Sequence, residues 1–480
     1  MQEPALADSE SRADARPCGD GAGDGFAIEI ARRSSALAWN DLPAEAIHWA
    51  RIGLLDTLGV TLAGSREDAP RIAQAALDAG NGPSLILGSS RRVGALDAAL
   101  VNGTASHALD FDDCNNTMGG HPSVPVLSAL LPLAEERGAS GRDLVLAYVA
   151  GFEVEAKVAL AVNFHHYQKG WHPTATLGVF GAAAACARLL SLDAEKTATA
   201  LALAASFSSG LKANFGTMAK PLHVGQCARN GLLAARLAQR AFTANAQTVF
   251  EHEQGFLDVF NGPGTYDTAR ALAAWAAPLD IVAPGIAIKQ YPCCGSTHPA
   301  IDAMLDLVRR HGLTPDAIEK IEAWIHPRRL QHTDRPRPGT ALDAKFSLQY
   351  VLARAVVDGH VSLEQFEGQA YADARVKALL PRIAVAGYDE ALFDAANHFG
   401  GAVRVTLKDG SVHDARVDQP LGRTSSNPLP QPLLESKFAL CAGMVLAPDA
   451  VAGVAAMVAR IEDLENVRLL TRQLERVITA

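Results

Sequence analysis

The chain has 480 residues, of which 49% are hydrophobic and 20% are charged. This composition is typical of a globular protein and argues against a wholly disordered or membrane-embedded one. Because the length exceeds what one ordinary core holds, we expect two domains. The formal net charge of -9 argues against a nucleic-acid partner, whereas an acidic small molecule can still bind in a locally basic pocket.

The N-terminal segment, residues 1–25, is rich in Ala, Asp, Gly and Ser and has no apolar stretch. It predicts a disordered tail and not a signal peptide. Seven cysteines are few for this length and odd in number, which favours reduced thiols in a cytoplasmic protein. The most apolar long run, from Phe438 to Ala459, contains Pro448 and Asp449. We therefore expect two packed helices there and no membrane span.

Residues 26–285 have the pattern of an all-helical domain. Alanine-rich segments such as "PVLSALLPLAEERG" and "NGLLAARLAQRAF" are separated by Gly, Pro, Asn and Ser breaks, which is typical of successive helices. The many Ala and Gly residues on these segments predict helices that pack closely against one another.

Residues 286–429 predict a smaller α/β domain. Apolar residues alternate in "IEKIEAWIH", as in a strand, and in "GGAVRVTLKDGSVHDARV" they alternate into Asp409-Gly410, a hairpin signal. The segment between them, "DAKFSLQYVLARAVVDG", has a helical pattern. After the Pro-rich "NPLPQPLL", we expect C-terminal helices within 430–480 to complete the first domain. The predicted fold class is therefore mainly α.

Polar residues gather in four clusters, each at a Pro- or Gly-bounded break between apolar helices. They are "DFDDCNNTMGGHPSVP", with Asp110, Asp112, Asp113 and His121; "KGWHPTATLG", with His172; "MAKPLHVGQCARNG", with Lys220 and His223; and "IKQYPCCGSTHPAID", with Lys289, Cys293, Cys294 and His298. Acids this close repel one another, so burying them requires a cation, a proton or a ligand. Histidines and acids supply proton donors and acceptors, and lysines supply positive charge for carboxylates or an enolate-like intermediate. The pattern indicates acid–base chemistry on an anionic small molecule.

Each cluster also has a simpler interpretation. Asp112 or Asp113 could cap a helix, and His172 before a proline could be a capping or packing residue. "DDCNN" superficially follows the Asp-rich Mg²⁺ motif of prenyl-diphosphate enzymes, but no second motif of Asn, Ser and Glu accompanies it.

Metal and cofactor motifs are absent from the sequence. The pair Cys293-Cys294 has no second Cys pair at ligand spacing, and His298 alone cannot complete a tetrahedral set. There is also no GxSxG elbow, Walker loop, GxGxxG fingerprint or HExxH motif. We therefore expect no metal and no cofactor.

Taken in order, the clusters resemble the MmgE/PrpD family, which includes 2-methylcitrate dehydratase, cis-aconitate decarboxylase and iminodisuccinate epimerase. The similar segments, within about Phe26 to the C-terminus, are "NGTASHALDFDD", "GGHPS", "GWHPTATLG", "KPLHVGQCARNG", "KQYPCCGSTHPAID", "AKFSLQY" and "NPLPQPLLESKF". The resemblance implies a large all-helical domain with a smaller α/β lid domain, a homodimer, and neither a metal nor an iron–sulfur cluster. It also implies an active site at the cleft between the domains.

Transferred position by position, the resemblance implies two groups of site residues. The catalytic ones are Asp110, His121, His172 and Tyr350, the last contributed by the lid; the substrate-binding ones are Lys220, Lys289, Cys114 and Cys294. The chain departs from the decarboxylase branch at Cys114 and Cys294, where that branch has Thr and His. It departs from the dehydratase branch, which has Tyr and Asp-Asn, at Phe111 and Val124-Pro125.

These observations together predict a cofactor-independent lyase or isomerase acting on a di- or tricarboxylate. The lysines would hold carboxylates while His121 and His172 exchange protons at the carbon alpha to one of them, each near the ordinary pKa of about 6.5. A reaction like that of 2-methylcitrate dehydratase is the first expectation. The alternatives are an epimerase acting on iminodisuccinate, a cis-aconitate decarboxylase, and a catalytically inactive scaffold, which the Cys294 exchange keeps open.

Overall fold

The computed structural model describes residues 24–394 and 397–476. Nearly all of the expected disordered tail, and the last residues of the expected C-terminal helices, lie outside the described residues. No helix within the described ranges combines the length and the apolar character that crossing a membrane requires.

The first part of the chain is a bundle of helices. They are α1 (Phe26–Ala36), α2 (Ala44–Gly64), α3 (Asp68–Ala76), α4 (Ala95–His107), α5 (Ser123–Arg137), α6 (Gly141–Val162), α7 (His165–Lys169), α8 (Pro173–Thr176), α9 (Gly178–Leu189), α10 (Ala194–Phe207), α11 (Ala219–Gln239) and α12 (Thr268–Ala273). Local signals explain their ends: Ser140 and Asp143 form a capping box at the start of α6, and Gly138 ends α5 in the left-handed conformation that glycine adopts without cost.

A short antiparallel ribbon interrupts this bundle, which differs from the all-helical expectation. It consists of β1 (Asn81–Leu85) and β2 (Arg92–Val93). The sequence Asn-Gly-Pro at the start of β1 disfavours a helix. In addition, the backbone N–H of Leu85 donates to the buried Glu135 carboxylate at 2.8 Å, so side chains of the bundle satisfy the ribbon's polar groups.

Close helix packing, expected from the Ala and Gly content, is confirmed where α4 crosses α11. A Cβ on Gly103 would lie 2.7 Å from the Cα of Gly225, and one on Gly225 would collide with the carbonyl oxygen of Leu100. The two backbones approach this closely only because neither glycine carries a side chain. The crossing places the chain that leaves α4 beside the first turn of α11.

The second part of the chain is a four-stranded sheet with helices. The strands are β3 (Ile318–Ile325), β4 (Ile383–Gly387), β5 (Gly401–Leu407) and β6 (Val412–Val417), and the helices are α13 (His298–His311), α14 (Pro327–Thr333), α15 (Ala341–Ala344), α16 (Leu348–Asp358) and α17 (Ala374–Leu379). The spatial order is β4-β3-β5-β6, with β4 parallel to β3 and the other pairs antiparallel. The strand expected near Ile321 and the hairpin at Asp409-Gly410 are confirmed. The edge strand β4 was not expected, because "IAVAG" is short and lacks a polar alternation.

The C-terminal helices, α18 (Gln431–Ala442), α19 (Pro448–Val458) and α20 (Arg468–Gln473), lie on the first part of the chain. Phe438 of α18 and Val454 of α19 are buried in the same core as Leu54 and Leu58 of α2. The apolar run from Phe438 onward therefore contributes to two packed helices, as expected.

Two hydrophobic cores meet at the chain crossing near Lys289. Ile286 and Ile288 belong to the core of the helical bundle, whereas Tyr291 and Cys293 belong to the core of the sheet. Lys289 therefore lies in the short segment of chain that connects the two cores.

Candidate active site

The acidic stretch after α4 is folded so that its carboxylates point to different partners. Asp110 has a φ of +54°, a left-handed conformation that is uncommon for a residue with a side chain. The turn it creates directs Asp110 to lysines, Asp112 to histidines and Asp113 to a serine. Like-charge repulsion is reduced because each acid has its own compensation.

Asp110 lies between two buried lysines. Its Oδ1 is 2.5 Å from Nζ of Lys220, which begins α11, and its Oδ2 is 3.1 Å from Nζ of Lys289. Burial by itself raises the pKa of the Asp110 carboxyl, but the two lysines outweigh burial and hold that pKa well below its ordinary value. Asp110 is therefore a carboxylate, and it already neutralises part of the lysine charge.

Three buried lysines also hold the backbone of this turn. The carbonyl oxygens of Leu109, Asp110 and Phe111 each accept a hydrogen bond from a different ammonium, at 2.5, 2.6 and 2.8 Å; the donors are Lys345, Lys289 and Lys437, respectively. Burial lowers the pKa of Lys345 to about 8, although nearby Asp110 opposes this. The sequence interpretation missed Lys345 and Lys437, although a lysine inside the apolar segments "AKFSLQY" and "LLESKF" was an available signal.

Asp112 joins two histidines. Its Oδ2 is 2.7 Å from Nδ1 of His107 and 2.9 Å from Nδ1 of His121. Burial opposes charge on both rings. At His121 the neighbouring Asp112 outweighs burial and raises the pKa to about 10, whereas at His107 burial dominates and lowers the pKa to about 3. His121 is therefore protonated at neutral pH, whereas His107 is neutral. The expectation that His121 has a pKa of about 6.5 is wrong, because Asp112 raises that pKa.

His172 is a second neutral imidazole in the cluster. It precedes α8, but its side chain makes no capping hydrogen bond. Its ring stacks on His107 with centroids 5.5 Å apart, and its Nδ1 lies 3.3 Å from Nδ1 of His223. Burial, followed by the nearby positive charge of Lys220 and the other histidines, lowers the pKa of His172 well below its ordinary value. Its buried Nε2 has no hydrogen-bond partner among the described residues.

The loops that carry His121 and His172 contact each other directly. The backbone N–H of His121 donates to Oγ1 of Thr174 at 3.1 Å, and Thr174 lies two residues after His172. The ring of His107 also packs edge-on to His121 at 4.6 Å between centroids. His107, which sits in the quoted "NGTASHALDFDD" but was not selected as a site residue, thus connects the protonated histidine with the neutral one.

Asp113 is buried and points away from the histidines. It accepts hydrogen bonds from the backbone N–H and the hydroxyl of Ser123, which in turn lies 2.5 Å from the hydroxyl of Tyr148. Burial raises the pKa of Asp113 well above its ordinary value. The helix-capping alternative applies in part here, because Ser123 begins α5 and Asp113 binds its free N–H.

The two cysteines expected to bind substrate face different histidines. The Sγ of Cys114 is 3.8 Å from Nδ1 of His121, and that of Cys294 is 3.6 Å from Nε2 of His332. Burial by itself raises the pKa of both thiols, but nearby positive charge outweighs burial. His121 and Lys289 lower the pKa of Cys114 to about 7, and His332 lowers that of Cys294 to about 6. The neighbouring Cys293 is directed to Thr297, and burial raises its pKa to about 12.

Tyr350 lies apart from this cluster. Its hydroxyl donates to the carbonyl oxygen of Gln365 and accepts from Nε of Arg354 at 2.9 Å, and its ring packs near Phe366 in the core of the sheet. The turn of α16 directs the side chain into that core. The structure therefore groups Asp110, His121, His172, Lys220, Lys289 and Cys114 directly, while the catalytic role of Tyr350 stays a prediction.

One group of side chains has a spacing that could hold a metal ion. The possible ligand atoms of His107, Asp112 and His121 all lie within 4.8 Å of one another. However, the nitrogen–oxygen separations of 2.7 and 2.9 Å are those of hydrogen bonds. The group is better described as a hydrogen-bonded His–Asp–His unit.

The comparisons with known proteins agree with the motifs. Residues 28–269 match the MmgE/PrpD N-terminal domain and residues 291–463 match the MmgE/PrpD C-terminal domain. The cis-aconitate decarboxylase of Homo sapiens is 32% identical, over 90% of this chain and 93% of that protein. That of Aspergillus terreus is 27% identical, over 92% and 94%.

A second group of relatives is more distant. The 2-methylcitrate dehydratase of Cupriavidus necator is 25% identical, over 73% of this chain and 76% of that protein. Relatives of both kinds are enzymes, and the two domain matches together span most of the chain. The chain belongs to the MmgE/PrpD family.

Proposed function

We propose that the chain is a cofactor-independent lyase acting on a tricarboxylate, and that decarboxylation of a substrate of the cis-aconitate type is its reaction. The observation that carries the proposal is the position of His121, whose pKa is raised, next to Asp110 and its two lysines: Nε2 of His121 lies 3.9 Å from Oδ1 of Asp110. The relatives named cis-aconitate decarboxylase support this choice, because they are similar over about nine tenths of the chain.

In this proposal Lys220 and Lys289 bind carboxylates of the substrate, sharing their charge with Asp110. Loss of CO₂ leaves an electron pair on carbon, which is delocalised onto a remaining carboxylate and is stabilised by the fixed ammonium groups. His121, which holds its proton at neutral pH, then protonates the carbon. Solvent afterwards returns a proton to His121, so no oxidant or reductant is needed.

Dehydration of a substrate such as 2-methylcitrate is the second candidate. It requires a base that removes a proton alpha to a carboxylate and an acid that protonates the departing hydroxyl group. The neutral His172 and the protonated His121 are suited to these two steps. The relatives named 2-methylcitrate dehydratase, although less similar, support this candidate.

The test is product analysis with purified protein and cis-aconitate, 2-methylcitrate and iminodisuccinate in separate reactions in heavy water. Release of CO₂ identifies the decarboxylase, loss of water the dehydratase, and proton exchange with inversion alone an epimerase. His48→Ala, at an exposed histidine, is the matched control for His121→Ala and His172→Ala. If a well-folded protein transforms none of these compounds, nor other polycarboxylates, the proposal fails and the inactive scaffold stands.

A further inference from the structure

Two arginines of the second domain lie side by side without a carboxylate partner. Arg329 of α14 and Arg423, in the segment between β6 and α18, both stack on the ring of Phe399, with their guanidinium carbons 4.7 and 4.5 Å from its centroid. Within residues 24–394 and 397–476, neither guanidinium forms a salt bridge; Arg329 donates only to Ser296 and to the carbonyl oxygen of His398. Nε of Arg423 is shielded from solvent and has no hydrogen-bond partner there.

Backbone contacts bring Arg423 to the cluster in the helical bundle. Gly422 has a φ of +76°, and a Cβ at this position would collide with the carbonyl oxygen of Ile288. Ile288 follows Ala287, whose backbone pairs with that of Cys114. Arg423 is consequently among the positive charges that lower the pKa of the Cys114 thiol. The backbone contacts of Gly422 and Ala287 therefore place Arg423 near the segment that carries Cys114.

Arg329 reaches the same place from α14. Its Nη1 donates to Oγ of Ser296 at 3.3 Å, while a Cβ on Gly295 would lie 3.6 Å from Nη1 of Arg423. The turn that carries Cys294 is thus held between the two guanidinium groups. Burial and then Cys294 raise the pKa of Tyr167 to about 12, and the positive charge of Arg329 opposes this rise.

Placing two cations together is unfavourable unless an anion compensates them. Burial and the neighbouring Arg423 lower the pKa of Arg329 to about 10, which is the electrostatic sign of this unfavourable pairing. In contrast, Lys220 and Lys289 already share the charge of Asp110. The arginines therefore carry positive charge in the cleft that no described carboxylate of the chain compensates.

We infer that Arg329 and Arg423 form a subsite that binds a carboxylate of the substrate, namely one that takes no part in the reaction. Planar guanidinium groups bind carboxylates in a bidentate manner, with geometric selectivity that an ammonium lacks. The subsite rests on the proposed function for the identity of its ligand as a polycarboxylate. It makes these arginines specificity residues: they favour a substrate with a third carboxylate over one with only two.

The experiment measures binding by calorimetry, so that it does not depend on turnover. The probes are tricarballylate, which has three carboxylates, and glutarate and methylsuccinate, which each lack one of them. The variants are Arg329→Gln and Arg423→Gln. The matched control is Arg328→Gln, at an exposed arginine on the same helix, and circular dichroism checks that each variant is folded.

We expect each subsite variant to weaken tricarballylate binding about 10- to 100-fold, the usual effect of losing charged hydrogen bonds. At least one of the two dicarboxylates should lose less than about threefold, since it lacks the group that the arginines bind, and Arg328→Gln should leave all three affinities unchanged. Where the wild type has a measurable turnover, KM rises in the arginine variants more than kcat falls.

The subsite is overturned by an equal loss for all three probes, or by no loss for tricarballylate. Binding of no probe by the wild type also overturns it. A wild type that binds tricarballylate through these arginines but transforms no polycarboxylate would instead contradict the proposed function and leave the subsite standing.

Discussion

Nζ of Lys289 lies 3.1 Å from the carboxylate of Asp110 and 2.6 Å from the carbonyl oxygen of the same residue. One ammonium thus holds the side chain and the backbone of a residue whose φ is +54°. Because Lys289 belongs to the chain crossing between the two cores, this contact also ties the crossing to the turn after α4. Lys220 contacts the same carboxylate but not the backbone, so the two lysines are not equivalent.

We therefore expect Lys289→Met to lower the free energy of unfolding more than Lys220→Met does. Either change leaves a buried carboxylate short of one partner, at a cost of about 3 kcal/mol. Lys289→Met additionally leaves the Asp110 carbonyl without its charged donor, which adds about 1–2 kcal/mol. Urea denaturation of both variants, with Lys196→Met at an exposed site as control, measures the difference. Equal losses would show that the contact with the carbonyl does not stabilise the turn.

If the reaction is the dehydration candidate, in which His172 removes the proton alpha to a carboxylate, His172→Ala is expected to lower kcat about 10²–10⁴-fold with little change in KM. The ring contributes no capping hydrogen bond to α8, so the helix should persist. Steady-state kinetics on the accepted substrate measure both constants, and His48→Ala is the control. A kcat within a few-fold of the wild type would make His172 a packing residue.

The sequence indicated much of the fold and the centre of the site, for identifiable reasons. Lys220 and Asp110 come together because α4 and α11 cross at glycines, and the Gly-rich helical pattern already favoured close packing. The His107–Asp112 pair was missed, because it depends on the left-handed turn at Asp110, which no local pattern predicts for an aspartate.

The arginine subsite illustrates a different difficulty. Arg329 follows Arg328 in a charged stretch, "HPRRLQHTDRPRPG", for which a solvated surface is the ordinary interpretation. Arg423 is more than ninety residues away and is brought near only by the contact of Gly422 with Ile288. Sequence alone does not say which of two neighbouring arginines faces inward, and that orientation decides the role.

Thiol reactivity should separate the site cysteines from the others described in the structure. Histidine and lysine charges lower the pKa of Cys114 to about 7 and that of Cys294 to about 6, whereas burial raises the pKa of Cys293 and Cys441 to about 12. The thiolate is the reacting form, so iodoacetamide at pH 7.5 should modify Cys114, which is partly exposed, first and Cys294 next.

Peptide mass spectrometry over a time course provides the order of modification, and a saturating tricarboxylate should slow it at both site cysteines. Modification of Cys293 or Cys441 in the native protein before Cys114 would contradict the assigned charge environment. Guanidinium-unfolded protein is the control, because all thiols should then react at similar rates.

Activity is expected to survive removal of divalent metals. The facing atoms of the His107–Asp112–His121 unit have hydrogen-bond separations, so both histidine–aspartate contacts are satisfied without a metal ion. Exhaustive dialysis against a chelator should leave kcat unchanged, and added Zn²⁺ or Mg²⁺ should not increase it. Loss of turnover that one metal ion restores would instead assign the unit as a metal site and revive the Asp-rich motif.

The pH dependence of kcat/KM, which reports the groups of the unliganded protein, should reflect histidines that do not titrate near 6.5. The pKa of His172 lies well below 6.5, so His172 is already neutral at pH 6.5. The pKa of His121 is about 10, so His121 keeps its proton until the pH approaches that value. Neither histidine should therefore give an inflection between about pH 6.5 and 9, where only groups such as Cys114 and Lys345 titrate, and the profile should fall on the alkaline side as His121 loses its proton.

Asp112→Asn removes the carboxylate that raises the pKa of His121 while keeping the shape of the side chain. Burial would then dominate, and the alkaline limb should move to lower pH by about two units or more. The matched control is Asp143→Asn, at an exposed aspartate in the capping box of α6, which should leave the profile unshifted. An inflection at pH 6.5 in the wild type, or an alkaline limb that Asp112→Asn does not move, would show that His121 is not the proton donor.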